Sequence, residues 1–208
     1  MPTDIRVKLS VMMFLEYFVW GAWYVTLGTW LASLGFSGEQ IGLTYGTTAL
    51  AAMISPFFVG MIADRFFATQ RLLAILHALG GLAILYASAR VTFWPLYTAI
   101  LVHTLCYMPT LALTNSLSFR QMRDPGLEFP PIRVLGTIGW IVAGLVVGTL
   151  GVEATSRPLQ FAAAGSLALA AFCLALPHTP PQRAGRASVR DVLGLDALAL
   201  MKDRSFAV

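Results

Sequence analysis

Residues 131–151 read Pro131-Ile-Arg-Val-Leu-Gly-Thr-Ile-Gly-Trp-Ile-Val-Ala-Gly-Leu-Val-Val-Gly-Thr-Leu-Gly151. A helix needs roughly 20 apolar residues to cross the hydrocarbon core of a bilayer, and this run has that length. Its only charge is Arg133, and no other follows until Glu153. A charge beside hydrocarbon is costly and calls for a reason. Thr137 and Trp140 follow Arg133 at spacings that put all three side chains on one helix face. A cation, a hydroxyl and a large ring on one stripe suit a polar, ring-bearing solute.

The rest of the chain extends this reading. Hydrophobic residues make up 57% of the 208, charged residues only 12%, and the mean hydropathy is +0.73. Soluble domains carry roughly 25% charged residues. Apolar segments of span length fall at about 8–34, 41–66, 70–90, 93–118, 131–151 and 158–177. A bilayer admits only helices or closed barrels, and strand-like alternation is scarce. The expected fold is all-α and polytopic, a six-transmembrane-helix bundle. The first apolar run is too long for a cleaved signal peptide and lacks a small-x-small cleavage site. Cys106 and Cys173 both fall within expected spans, where they read as packing residues and not as a disulfide or metal pair. No cofactor or metal is implied.

Fourteen Lys and Arg residues set the orientation. With the amino terminus in the cytoplasm, all but Arg90 and Arg157 fall on the inner side, in keeping with the positive-inside rule. The net charge of +4 therefore reflects topology, not nucleic-acid binding. The domain plan is a bundle over 1–177, then a basic cytoplasmic linker over 178–204 that includes a possible surface helix. Residues 205–208 read as the start of a seventh span in a longer protein.

Between the second and third segments stands Gly60-Met-Ile-Ala-Asp64-Arg65, with Arg71 following. This loop is similar to the Gly-x-x-x-Asp-Arg … Arg loop of major facilitator transporters. Gly60 allows close helix approach. Asp64 suits a helix cap, and Arg65 and Arg71 suit pairing with carboxylates or carbonyls. The alternative is an ordinary positive-inside turn. Trp20-Gly-Ala-Trp23, Thr26-Leu-Gly28, Tyr107-Met-Pro-Thr-Leu111, Asn115, Phe129-Pro-Pro-Ile-Arg133, Gly136-Thr-Ile-Gly139, Leu176-Pro-His178 and Leu193-Gly-Leu-Asp196 follow in order. Together they resemble the nucleoside:proton symporter family of that superfamily.

The resemblance implies the amino-terminal half of a twelve-span transporter of the inner membrane. A missing carboxy-terminal six-helix half would face this one across a midplane site, and nucleosides and protons would move together by alternating access. It also implies that Arg133, Thr137 and Trp140 contact the nucleoside. A phenylalanine stands at the third position in a well-known member. Tryptophan keeps a stacking face but changes the pocket's size. The Gly60, Asp64, Arg65 and Arg71 loop would be a conformational gate.

Glu16 is the only acidic residue deep inside an expected span, and an intramembrane carboxylate is a functional candidate by default. One reading makes it a proton carrier; the other makes it a neutral acid bonded within the bundle. His103, Tyr107, Thr110 and Thr114 form a polar stripe on the fourth span, with Asn115 beside it. Tyr107 and Asn115 are cavity candidates, while His103 and Thr114 read as interhelical glue. His77, alone on its span, reads as a satisfied core histidine. Arg133 has two readings, a midplane site residue or a cation snorkelling at the inner mouth. Either α-helix formation starts upstream, nearer Gln121, or Arg133 is a gate. No metalloprotease, nucleophile-elbow or phosphate-loop motif appears, so the chain does not read as an enzyme. The remaining alternatives are a transporter of another polar solute, such as a sugar, and a non-transporting six-span protein.

Overall fold

Each expected apolar segment becomes helix in the computed structural model. The structure describes residues 1–181, and the side chains of 56–58 and 60–65 lie outside that description. Most of the expected linker, its surface helix and the seventh apolar run likewise lie outside the described residues. The helices are α1 (Thr3–Trp23), α2 (Leu27–Ser33), α3 (Gly38–Arg65), α4 (Thr69–Ser88), α5 (Phe93–Phe119), α6 (Pro125–Leu150) and α7 (Arg157–Cys173). Among the described residues, four stretches are long and apolar enough to cross a membrane: Thr3–Ser33, α4, α5 and α6. The 28 residues of α3 also have the length for a span, and the 17 of α7 reach about 25 Å. Ile75, Leu79 and Leu82 stand exposed along one face of α4, as side chains bound for lipid would.

Two boundaries differ from expectation, each for a local reason. The first span is broken at Tyr24-Val25-Thr26, between α1 and α2. Tyr45 of α3 closes the break. Its hydroxyl donates to the Tyr24 carbonyl at 2.9 Å and accepts from the Gly28 N–H at 2.9 Å. The fifth span starts six residues before its expected first residue. Asp124 caps α6 by accepting from Leu127 N at 3.3 Å, and Pro125 opens the helix where a missing N–H costs nothing. Pro130 and Pro131 then lie inside α6. Two backbone hydrogen bonds are lost there. Arg133 thus sits two turns into α6, about 12 Å along its axis.

The packing order follows from which helices touch. α1 lies along α6 on one side and α7 on the other; α4 lies between α7 and α5; α5 also carries α3. The α1–α6 crossing is the tightest. A Cβ placed on Gly139 would fall 2.1 Å from the Phe14 carbonyl oxygen, inside any tolerable contact. Hydrocarbon gives two helices no hydrophobic drive to associate, so close backbone approach through small residues takes its place.

Two apolar clusters fill the bundle. One gathers Val19, Trp23, Leu31, Ile84, Ile100 and Leu159. The other gathers Met13, Leu73, Leu113, Leu117, Ile132 and Leu169. Glu16, His77, Thr110 and Ser166, each fully or almost fully buried, fall in sequence between members of the two clusters on α1, α4, α5 and α7. A polar layer therefore crosses the bundle between two greasy ones.

Candidate functional site

The polar layer is built from four helices that each give one short polar side chain. Glu16 is completely buried. Its Oε2 lies 2.9 Å from His77 Nε2, and its Oε1 accepts from the Thr110 hydroxyl at 2.6 Å. The Glu16 backbone carbonyl accepts from the Tyr107 hydroxyl at 2.6 Å. His77 Nδ1 lies 3.3 Å from Ser166 Oγ, and Ser166 in turn donates to the His77 carbonyl at 2.9 Å. Buried polar groups must be paired in this way, and here every partner comes from another helix or from the same small network.

An aromatic shelf rises beside this layer. The Arg133 guanidinium carbon sits 4.1 Å from the centre of the Tyr17 ring, a cation–π contact between α6 and α1. Tyr17 is next in sequence to Glu16, so Arg133 stands level with the polar layer. The longer α6 carries Arg133 two turns in from the helix start. Trp20 meets Trp140 edge-on at 5.3 Å and Tyr107 at 6.3 Å between ring centres. Arg133 and Trp140 are half-buried, and Thr137 between them is exposed. All three remain on one face of α6, as their spacing predicts. The Trp20 Nε1 donor is buried without a hydrogen-bond partner among the described residues.

The other candidates divide. Tyr107 is 2% exposed, its hydroxyl is committed to the Glu16 carbonyl, and its ring stacks on His103 at 5.6 Å. It supports the shelf from beneath and is not a side chain open to a cavity. Asn115 is half-buried, and its Oδ1 is unpaired among the described residues. His103 Nδ1 donates to the Gly80 carbonyl at 2.9 Å and so joins α5 to α4. Thr114 instead donates within its own helix to the Thr110 carbonyl at 2.9 Å, which is not interhelical glue. Cys106 and Cys173 are free thiols. Gly60, Asp64 and Arg65 fall in the last turns of α3, where only the backbone is described, and Arg71 is exposed in the first turn of α4.

Sequence reading missed the partner of Glu16. His77 read as an isolated core histidine, yet it closes the buried pair. The signal was present: two ionisable residues, each alone in its span, and ionisable groups in a membrane tend to pair. Tyr17 was missed as well, because nothing in a tyrosine's position announces a cation above its ring.

A family model described as nucleoside H+ symporter matches residues 3–208. YegT of Escherichia coli (strain K12) is 46% identical over 208 residues, covering 97% of this chain and 49% of that protein. The xanthosine permease of the same organism is 38% identical, covering 99% of this chain and 50% of its own length. The crystal structure of the nucleoside transporter NupG superposes with a TM-score of 0.85 at 36% identity, over 99% of this chain and 52% of that one. A peptide transporter structure at 17% identity and a TM-score of 0.72 shares the fold alone. The chain spans about half the length of the curated relatives it matches, and it aligns as their amino-terminal half. It is a multi-pass membrane protein, all helical among the described residues, with the architecture of half a major facilitator fold. By family and by fold, the chain belongs to the nucleoside H+ symporter family.

Proposed function

We propose that this chain is the amino-terminal half of a proton-coupled nucleoside transporter, working by alternating access in the inner membrane with its amino terminus in the cytoplasm. The observation that carries the reading is the Arg133–Tyr17–Trp20–Trp140 shelf at the level of the buried Glu16. Arg133 offers a fork of donors to ribose hydroxyls and base carbonyls. Trp140 offers a stacking face, and Thr137, exposed on the same stripe, a hydroxyl. Asn115 adds an amide oxygen from α5 that has no partner among the described residues. Glu16 is the proton-coupling residue, and Tyr107 braces it from below.

The bundle runs over 1–177. The basic stretch that begins at 178 would lie on the cytoplasmic side and join the bundle to the second six-helix half. That half supplies the opposite wall. The Gly60, Asp64, Arg65 and Arg71 loop at the α3–α4 junction serves as the inner gate. The protein performs transport and no covalent chemistry.

A competition experiment separates this reading from its nearest rival. The complete protein, purified in nanodiscs, should bind a radiolabelled nucleoside that unlabelled nucleosides displace and sugars do not. Trp140→Ala should weaken that binding about tenfold, since base–aromatic stacking is worth roughly 1–3 kcal/mol. Absence of specific nucleoside binding, with a radiolabelled sugar bound and displaced by unlabelled sugar, would assign the protein to another polar solute.

A further inference from the structure

We infer that Glu16 and His77 form a single proton-binding site, in which the two side chains share one proton and Thr110 turns its hydroxyl to admit a second. This rests on the reading of Glu16 as the proton-coupling residue and adds two residues to it. Hydrogen-bond directions carry the argument. Ser166 has one hydroxyl proton, and it donates that proton to the His77 carbonyl. Its oxygen can then only accept from His77 Nδ1, so Nδ1 carries a hydrogen. The contact between His77 Nε2 and Glu16 Oε2 at 2.9 Å must also contain a proton, since two bare acceptors would repel. The resting pair therefore shares one proton and has no net charge.

Thr110 shows where a second proton goes. Its hydroxyl lies within hydrogen-bond reach of both Glu16 Oε1 and the Tyr107 carbonyl. In the one-proton state it donates to Oε1. When Glu16 takes a proton on Oε1, the new O–H donates to Thr110 Oγ, and the threonine turns its own hydrogen to the Tyr107 carbonyl. Every donor keeps an acceptor in both states. The site thus gains a proton at the cost of one net positive charge and no broken hydrogen bond. A neutral acid fixed in one state would not need a hydroxyl with two acceptors.

The charged and titratable groups around the pair come from three neighbouring helices. On the α6 side, Arg133 over the Tyr17 ring adds a permanent cation. On the α5 side stand His103 and Tyr107, stacked on each other, and Cys173 stands on α7. None of these last three brings a fixed charge. His77 is then the titratable group in direct contact with the Glu16 carboxyl.

The test needs no nucleoside, so it can fail while transport stands, or stand while transport fails. Infrared difference spectra of the complete protein in nanodiscs are recorded as pH falls. A carboxylic-acid C=O band should appear in the wild type and be absent in Glu16→Gln, which keeps the side chain's shape. His77→Gln, which removes the partner in the shared proton but keeps a hydrogen-bonding group, should move the midpoint up by about one to three pH units, because Glu16 then takes its first proton alone and not a second into a protonated pair. If His77→Gln does not fold, the wild type against Glu16→Gln decides alone. A Glu16 band of constant size across the pH range, or a midpoint unmoved by His77→Gln, would overturn the proposal.

Discussion

Replacing Arg133 with alanine should weaken nucleoside binding to the complete protein by one to two orders of magnitude. A hydrogen bond to a charged group contributes about 1.5–3 kcal/mol, and each 1.4 kcal/mol is tenfold in affinity. The desolvated position of Arg133, half-buried over Tyr17, puts the expectation toward the upper end. Arg133→Lys should recover only part of the loss. Lysine keeps the charge but lacks the planar fork and the stacking face. The same arginine also ties α6 to α1 through Tyr17, a contact of about 0.5–2 kcal/mol. Thermal unfolding of each variant, measured beside its titration with nucleoside, separates the two roles. Equal affinity in wild type and Arg133→Ala would remove Arg133 from the site.

A second large effect lies a turn and a half further along α6. Gly139→Ala should abolish recovery of folded, monodisperse protein. The added methyl would sit 2.1 Å from the Phe14 carbonyl oxygen and 3.0 Å from its carbon. Backbone cannot swing aside as a flexible side chain can, so α1 and α6 must separate. Overpacking in well-packed interiors costs about 1–3 kcal/mol, occasionally more, and an obstruction by backbone belongs in the upper tail. The separation would also carry Trp140 away from Trp20. Gly144→Ala supplies the control on the same helix, because a Cβ there meets nothing within 4 Å. Size-exclusion profiles should show Gly144→Ala like wild type and Gly139→Ala aggregated or absent. A folded Gly139→Ala with unchanged melting temperature would contradict the tight crossing.

The outline of the fold was open to reading because lipid imposes a simple rule. A span must be long, apolar and helical, and the expected segments fall within a few residues of α3, α4, α5 and α7. The errors are local and polar. The break after Trp23 depends on the Tyr45 hydroxyl, which arrives from another helix. The start of α6 was misplaced because Pro130 and Pro131 look like a beginning, while the cap at Asp124 stands further back. The stripe of Arg133, Thr137 and Trp140 was legible because it lies within one helix and follows its period. The pairing of Glu16 with His77 was not, because 61 residues separate them and only the packing of α1, α4, α5 and α7 brings them together. The depth of Arg133 likewise came from a neighbour, Tyr17, that periodicity does not reveal.

In the proposed function, nucleoside and proton move together through a site of which this chain forms one wall. The most direct measurement uses the complete protein in liposomes that enclose a pH-sensitive dye, with no electrical or pH gradient imposed. Adding a nucleoside outside should acidify the lumen as solute and protons enter together, and the Arg133→Ala protein should need roughly a ten- to hundredfold higher nucleoside concentration for the same signal. Nucleoside accumulation with no change in luminal pH, or acidification that sugars elicit and nucleosides do not, would contradict the account.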